Sequence, residues 1–277
     1  MLKSVNQWCF PEGTPLPKLF EISRDAGYDA VELNVYPTGH TAGFTLETTP
    51  AEADAIAKLA ADYGLQLRSV STGLMGRNPL SSPDPAVREQ GRAVVTKQLE
   101  ICERIGADTA LVVPGVVNAT SSYDTCYENS RAELEKLVPE AEKRGVKIGI
   151  ENVWNKFLLS PLEMKRYVDE LNSPNLGVYF DVGNILLYGF PQQWIRILGS
   201  RIFKVHVKDF KATVGNYGGF VPLMAGEVNW TEVVAALNEI GYTDTLTAEI
   251  GIYGSNPYQA VYDTARQLNA IITGTAG

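Results

Sequence analysis

The sequence predicts an α/β fold, a closed (β/α)8 TIM barrel that occupies residues 1–277 as a single domain. Eight strand-like runs alternate with helical segments from one end of the chain to the other. Such alternation is typical of right-handed βαβ units and a parallel sheet. Eight units in about 250 residues match a closed barrel. An open doubly wound sheet is the alternative, but the PEGTP segment after the first strand is not a glycine-rich dinucleotide loop.

The predicted strands are short runs rich in β-branched and other apolar residues, and each is followed by a helical pattern. They cover residues 4–10, 29–36, 65–72, 108–115, 145–153, 176–183, 201–209 and 245–252. No second domain or linker separates them. The longest irregular stretches, at 72–84, 114–127 and 210–227, each follow a strand, so we expect them to form loops over the active face of one barrel.

The predicted helices carry start and stop signals in the expected places. Several begin with Ser, Thr or Asn before proline or an acidic residue, and several end at glycine. They cover residues 15–28, 48–64, 82–107, 129–145, 160–174, 190–200, 229–242 and 256–272.

Composition excludes several functional classes. No apolar run approaches the roughly 18 residues of a membrane span, and the N-terminus lacks the long apolar stretch of a signal peptide. A net charge of −8 without a basic run disfavours a nucleic-acid partner. The three cysteines, Cys9, Cys102 and Cys126, are an odd number at wide spacing and form no disulfide framework or metal motif. We therefore expect a cytoplasmic protein with no membrane partner.

Four consecutive strands each place one metal-ligand side chain inward near the C-terminal end. Side chains alternate across a strand, and the apolar residues mark the face that meets the helices. The inward residues of the last four strands are Glu151, Asp181, His206 and Glu249. Three carboxylates and an imidazole in a barrel mouth need a compensating charge. The pattern therefore predicts one divalent metal ion at this end of the barrel.

The composition of this set also indicates which metal it holds. The chain has only two histidines, His40 and His206, so the site depends mostly on carboxylates. Hard ligands of this kind favour Mn²⁺ or Mg²⁺, although the Irving–Williams order lets Zn²⁺ or Co²⁺ compete.

Other side chains are candidates for substrate binding. Lys208 lies two residues after His206 and points inward, so it is the first candidate for contacting a phosphate. Glu32 points inward on the second strand and either contacts substrate hydroxyls or pairs with a basic residue. The full predicted set is Lys208, Glu32, Trp8, Trp154, Lys156, Asn184 and Arg77. The tryptophans either pack on a sugar or belong to the core, and Asn184 is suited to orienting a ligand.

Six motifs resemble the xylose isomerase-like superfamily of sugar phosphate isomerases and epimerases. They are VELNVYP at 31–37, IENVWNKFLLSP at 150–161, VYFDVGN at 178–184, KVHVKDF at 204–210, AGEVNW at 225–230 and TAEI at 247–250. The chain looks closest to the bacterial branch labelled hexulose-6-phosphate isomerase or L-ribulose-5-phosphate 3-epimerase. The resemblance implies a metal barrel whose ligands fall on Glu151, Asp181, His206 and Glu249, in agreement with the alternation.

Two departures from the family pattern bear on the substrate. Free-ketose 3-epimerases of this family usually carry a histidine three residues after the aspartate, where this chain has Asn184. They also carry an arginine shortly after the HVKD-like strand, where this chain has Lys208 and Lys211. Both differences argue against a free-ketose 3-epimerase.

The expected reaction is proton transfer next to a sugar carbonyl, through an enediolate. It needs a Lewis acid and a carboxylate base. If Glu151 and Glu249 stand on opposite faces of the substrate carbon, the result is epimerisation. If one carboxylate serves two neighbouring carbons, the result is aldose–ketose isomerisation.

Other classes on the same superfold fit less well. A metal-dependent endonuclease for abasic DNA would need more histidines. An inosose-type dehydratase is a minor alternative, and the intact ligand set speaks against a non-catalytic sugar-binding barrel. The expected partner is a small sugar or sugar phosphate, and the sequence is also compatible with a homo-oligomer.

Overall fold

A computed structural model describes residues 1–274 and confirms the predicted barrel. Eight parallel strands each pair with the next along the chain, and the first strand also pairs with the last, which closes the sheet. The strands are β1 (Leu2–Asn6), β2 (Ala30–Tyr36), β3 (Gln66–Thr72), β4 (Thr109–Val112), β5 (Lys147–Glu151), β6 (Leu176–Asp181), β7 (Ile202–Val207) and β8 (Thr245–Ala248).

Eight α-helices surround the barrel, and local signals define their ends. Thr49 and Glu52 form a reciprocal capping box at the second helix, and Gly27 ends the first in the left-handed conformation. The helices are α1 (Leu16–Ala26), α2 (Pro50–Asp62), α3 (Pro85–Ile105), α4 (Tyr123–Arg144), α5 (Pro161–Glu170), α6 (Pro191–Leu198), α7 (Trp230–Glu239) and α8 (Gln259–Thr273).

Several predicted strands are too long at their C-terminal ends. The predicted strand 4–10 ends at Asn6, whose side chain accepts a hydrogen bond from the Trp8 backbone and turns the chain into a short 3-10 helix. The predicted strands 108–115 and 245–252 end at Val112 and Ala248. The chain leaves the sheet at these points and continues over the mouth of the barrel.

Two of the predicted irregular stretches contain regular structure. Helix α4 begins at Tyr123 rather than at residue 129, within the predicted loop 114–127, with Ser122 at its N-cap position and Asp124 in its first turn. Within 210–227, Phe220–Val221 forms an antiparallel pair with Asp209–Phe210. A further short strand, Phe44–Thr45, pairs in parallel with Val35 and Tyr36 at the end of β2.

The predicted alternation of side chains is observed in the barrel strands. Phe180 points outward, and its ring centroid lies 6.3 Å from that of Trp194 on α6. Tyr179, one residue earlier, points inward and donates a hydrogen bond to Glu32. The apolar core therefore lies between the strands and the helices, whereas polar groups occupy much of the barrel interior.

The three cysteines are buried and free of disulfides. Within residues 1–274, no helix combines the length and the apolar character that crossing a membrane requires.

Candidate active site

Four potential metal ligands meet at the C-terminal end of the barrel. Glu151 and Asp181 are the last residues of β5 and β6, His206 lies near the end of β7, and Glu249 directly follows β8. One ligand atom from each residue lies within 4.8 Å of the others. The first three are buried, and Glu249 is partly exposed. Neighbouring parallel strands thus bring together residues that are far apart in sequence.

His206 lies at the centre of this cluster. One of its ring nitrogens faces Glu151 and Glu249, and the other faces Glu32. Its Nδ1 lies 3.2 Å from Glu151 Oε1 and 3.1 Å from Glu249 Oε2. Its Nε2 lies 2.6 Å from Glu32 Oε1. Burial lowers the pKa of His206, but the three carboxylates outweigh it and raise the pKa well above its ordinary value.

Lys208 is the second cation of the cluster. Its Nζ lies 3.1 Å from Asp181 Oδ2 and 3.0 Å from Glu249 Oε2. Burial lowers the pKa of Lys208, but Asp181 and Glu249 outweigh it, so the pKa is raised. The lysine therefore remains charged and is held between two carboxylates.

The two glutamates have different electrostatic surroundings. Burial raises the pKa of Glu151 to about 7, against the lowering effect of His206. Burial also raises the pKa of Glu249, but Lys208 and His206 outweigh it and lower the pKa to about 2. The difference arises because Glu249 contacts both cations, whereas Glu151 contacts only His206 directly.

Asparagine side chains and backbone amides hold Asp181 in place. The Asn184 backbone N–H donates to Asp181 Oδ1 at 2.8 Å. Asn152 bonds the Asp181 backbone at both ends, accepting from its N–H at 2.9 Å and donating to its carbonyl at 2.8 Å. Trp154 Nε1 donates to the Asn184 carbonyl at 2.9 Å. Asn184 thus lies beside Asp181, one of the four potential ligands.

The cluster fits a divalent cation. Asp181 Oδ2 is buried and accepts no well-aligned hydrogen bond from the described residues, and Lys208 Nζ lies 3.1 Å from it while also lying 3.0 Å from Glu249. Three carboxylates gathered at a buried site are costly, and a divalent cation would compensate their charge more fully than the shared lysine does. Three carboxylates and one imidazole are hard or borderline donors, which suit Mg²⁺, Mn²⁺ or Zn²⁺. A metal could therefore be held by Glu151, Asp181, His206 and Glu249.

A cavity of about 500 Å³ adjoins this cluster, and Lys208 and Glu249 are the residues of the cluster that line it. Five of the predicted site residues line it: Trp8, Trp154, Asn184, Lys208 and Glu249. Aromatic side chains of Tyr217, Phe220 and Tyr253 form much of the remaining wall. Most of the wall is therefore apolar, and the polar groups are concentrated near the ligands.

Three predicted substrate-binding residues lie outside the wall of this cavity. Glu32 is fully buried in the barrel interior beneath His206, so the structure favours a partner of a basic residue over a substrate contact. Arg77 and Lys156 are exposed on loops and do not line the cavity. Both side chains point into solvent because of the backbone conformation of their loops. At Lys156 that conformation is left-handed, with a φ of 60°.

His40 lies in a neighbouring cavity that shares Trp8 with the first. Its ring stacks on Tyr36, with centroids 3.8 Å apart. The imidazole is half-buried rather than fully exposed to solvent.

The sequence interpretation missed several residues of the site. Tyr217, Phe220 and Tyr253 lie in the segments that follow β7 and β8, where the regular elements are too short for a periodic pattern to indicate the direction of a side chain. Tyr179 was placed inward by alternation, but its contact with Glu32 depends on strands distant in sequence. The sequence signal for Tyr179 as a site residue was its position two residues before Asp181 in the VYFDVGN motif.

The chain belongs to the xylose isomerase-like TIM barrel family, whose family model matches residues 20–270. One curated relative is a putative L-ribulose-5-phosphate 3-epimerase, SgbU, of Escherichia coli (strain K12). It is 26% identical over 246 residues, which cover 84% of this chain and 83% of the relative. The L-ribulose-5-phosphate 3-epimerase UlaE of Salmonella heidelberg (strain SL476) is also 26% identical, over 86% of this chain and 83% of its own.

Solved structures share the fold over nearly the whole chain. A D-psicose 3-epimerase crystallised in the presence of D-fructose has a TM-score of 0.80 at 19% identity. The match covers 99% of this chain and 100% of the epimerase chain. An L-ribulose 3-epimerase has a TM-score of 0.80 at 17% identity, covering 99% of this chain and 95% of its own. Family membership and the named relatives together make this protein an isomerase.

Proposed function

We propose that this protein is a divalent-metal-dependent epimerase that inverts a carbon next to the carbonyl of a ketose phosphate. The observation that carries the proposal is the meeting of Glu151, Asp181, His206 and Glu249 within 4.8 Å. This cluster adjoins a cavity that Glu249 lines. The phosphorylated substrate is supported by the two curated relatives, which are named for L-ribulose 5-phosphate.

The four ligands would hold the cation, with Mn²⁺ or Mg²⁺ favoured by the carboxylates. When bound, the cation supplies Lewis-acid polarisation of the substrate carbonyl and its adjacent hydroxyl. Asn152 and Asn184 hold Asp181 in the orientation that this role requires. The aromatic wall of Trp8, Trp154 and Phe220 limits the access of water to the cluster.

Glu151 and Glu249 are the proposed proton-transfer groups. They reach the cluster from β5 and from the end of β8, which are not neighbouring strands. A substrate carbon between them would meet one carboxylate on each face. One glutamate takes the proton, and the other returns a proton to the opposite face, which inverts the configuration. A single glutamate acting on two neighbouring carbons would produce aldose–ketose isomerisation instead.

Hydrogen exchange with solvent tests this proposal directly. Mg²⁺-loaded protein is incubated with L-ribulose 5-phosphate in D₂O, and NMR follows deuterium at each carbon. We expect deuterium at one carbon beside the carbonyl, together with the epimer, and loss of both in Asp181→Asn. The surface variant Asp169→Asn is the matched control and should keep wild-type exchange. Absence of exchange with any ketose phosphate or free ketose in a panel would reject the proposal.

A free ketose is the second candidate substrate. The specific observation is that Lys208 is the one Lys or Arg in the cavity wall among the described residues, and two carboxylates already hold it. Arg77 and Lys156, the other expected phosphate contacts, are absent from the wall. A phosphate would therefore have to share Lys208 with Asp181 and Glu249.

A comparison of L-ribulose with L-ribulose 5-phosphate separates the two candidates. If Lys208 binds the phosphate, the ester has the higher kcat/KM and Lys208→Ala removes most of that preference. The expected loss is about 1.5–3 kcal/mol, typical of a hydrogen bond to a charged group. Metal content is measured alongside, and exposed Lys211→Ala is the control. Equal use of the two sugars favours the free ketose.

A further inference from the structure

Glu32 is a carboxylate enclosed by hydrogen-bond donors inside the barrel. Its side chain is 0% exposed. Asn6 Nδ2 donates to Oε1 at 2.6 Å, and the hydroxyls of Ser69 and Tyr179 both donate to Oε2. These groups come from β1, β3 and β6 and reach Glu32 on β2. The carboxylate is therefore fixed in position by four strands and cannot turn toward the substrate cavity.

The remaining contact of Glu32 is with His206. Its Oε1 lies 2.6 Å from Nε2 of the imidazole, on the side of the ring that faces away from the cavity. The opposite nitrogen, Nδ1, faces Glu151 and Glu249 at 3.2 and 3.1 Å. A carboxylate accepts hydrogen bonds and donates none, so it requires a proton on Nε2. Glu151 and Glu249 favour a proton on Nδ1 in the same way, but a cation bound between these carboxylates would take the place of that proton. The imidazole is then neutral, keeps its proton on Nε2 and carries its lone pair on Nδ1.

We infer that Glu32 is a positioning residue that holds His206 in the Nε2–H tautomer and presents the Nδ1 lone pair to the ligand cluster. The inference rests on the proposed metal-dependent function, because the lone pair is needed only if a cation binds there. Outer carboxylates of this kind fix the tautomer and the ring orientation of ligating histidines in other proteins.

The surrounding network supports this role over a substrate contact. The ring of Tyr179 lies 4.5 Å from that of His206 and packs against it. Asn6 is itself held by Asn34 and Ser71 on neighbouring strands. Glu32 is 0% exposed, and its contact with His206 Nε2 at 2.6 Å is its direct link to the ligand cluster.

The two histidines of the chain make the tautomer directly measurable by NMR. Protein labelled with ¹⁵N-histidine is loaded with Zn²⁺, which is diamagnetic, and His40 serves as the internal reference. In the wild-type protein we expect a Zn²⁺-bound Nδ1 and a protonated Nε2 on His206, with the Nε2 proton protected from exchange. This measurement needs no variant. Binding of Zn²⁺ through Nε2 would overturn the inference.

Glu32→Gln then measures what the carboxylate contributes. The amide has nearly the same shape but lacks the charge, so we expect weaker Zn²⁺ binding by about 10–100-fold and loss of the protected Nε2 proton. The control is Glu133→Gln, which changes another buried glutamate, paired with Arg88 and Arg92 on the outer helices. It should leave the His206 signals unchanged.

The outcomes separate this inference from the proposed function. If the wild-type protein binds Zn²⁺ through Nδ1 and folded Glu32→Gln has the same signals and affinity, the positioning role is rejected and the metal site stands. If the wild-type protein binds no divalent cation, the proposed function fails and the inference fails with it.

Discussion

Glu151 and Glu249 contact the same imidazole but have different neighbours. We predict that Glu151→Gln and Glu249→Gln each lower the rate of substrate C–H exchange by about 10²–10⁴-fold, which is typical for loss of a positioned acid or base. Because such a group acts in the transition state, kcat should fall while KM changes little. NMR exchange in D₂O and steady-state kinetics measure the two effects.

Both glutamates are also proposed ligands, so the metal content of each variant must be determined. The comparison is made at saturating Mg²⁺, with Asp169→Asn as a control for a change on the surface. A fully loaded variant that exchanges protons at nearly the wild-type rate would remove that glutamate from the proton-transfer role.

The convergence of Glu151, Asp181, His206 and Glu249 could be predicted from sequence because alternation along a strand is a local property. The face of Asp181 follows from its neighbours Val178 and Phe180, without knowledge of the rest of the chain. The positions of Arg77 and Lys156 could not be predicted in this way, because loop backbone conformation decides where their side chains point. The partner of Glu32 also remained open, since it lies on β7, far away in sequence.

The ends of β6 and β7 approach each other closely just beyond the ligands. A Cβ on Gly183 would lie 2.6 Å from Lys208 Cβ and 2.8 Å from the Lys208 carbonyl oxygen. The backbone at Lys208 cannot move away without disturbing its contacts with Asp181 and Glu249. Glycine at position 183 therefore permits the spacing that keeps Lys208 in the cluster.

We predict that Gly183→Ala lowers the free energy of unfolding by about 1–3 kcal/mol, as overpacking usually does. It should also reduce C–H exchange, because the added methyl group displaces Lys208. Urea denaturation and NMR exchange measure the two effects. The control is Gly254→Ala, where an added Cβ would have no heavy atom within 4 Å. Equal stability of the two variants would contradict the close approach.

The elements were predictable to different degrees. Helices with proline or a capping residue at the start, such as α2 and α5, begin close to their predicted positions. Helix α4 begins earlier than predicted, at Tyr123 inside the predicted loop 114–127, because the mostly polar residues of its first turns lack a clear apolar repeat. Strands β1, β4 and β8 end earlier than predicted because pairing with both neighbours, rather than the apolar run itself, determines where the sheet stops. Strands β2 and β3 end at the predicted residues.

At the scale of the whole molecule, the N-terminal end of the barrel is closed by an ion-pair network. Lys204 on β7 is fully buried, and its Nζ lies 2.7 Å from both Asp108 Oδ1 and Asp244 Oδ2. Arg68 on β3 reaches the same Asp244 oxygen at 2.6 Å. The network joins strands on different sides of the barrel, at the end opposite the ligand cluster.

This network predicts how the stability of the barrel depends on pH. Burial raises the pKa of Asp244, but Arg68 and Lys204 outweigh it and lower the pKa to about 2 from an ordinary value of 3.8. The folded protein therefore holds this carboxylate in its charged form more strongly than the unfolded chain does. Its contribution is complete above about pH 4 and is lost as the pH falls toward 2.

We predict that the Asp244 carboxylate stabilises the fold by on the order of 2 kcal/mol at neutral pH. Urea denaturation from pH 7 to pH 2 should show Asp244→Asn less stable than wild type above pH 4, with the difference shrinking toward pH 2. It shrinks because the wild-type carboxylate becomes protonated and then resembles the amide. Asp62→Asn, which alters an exposed pair with Lys58, should follow the wild-type pH profile. A difference between Asp244→Asn and wild type that is constant with pH would show that the loss arises from packing rather than from charge.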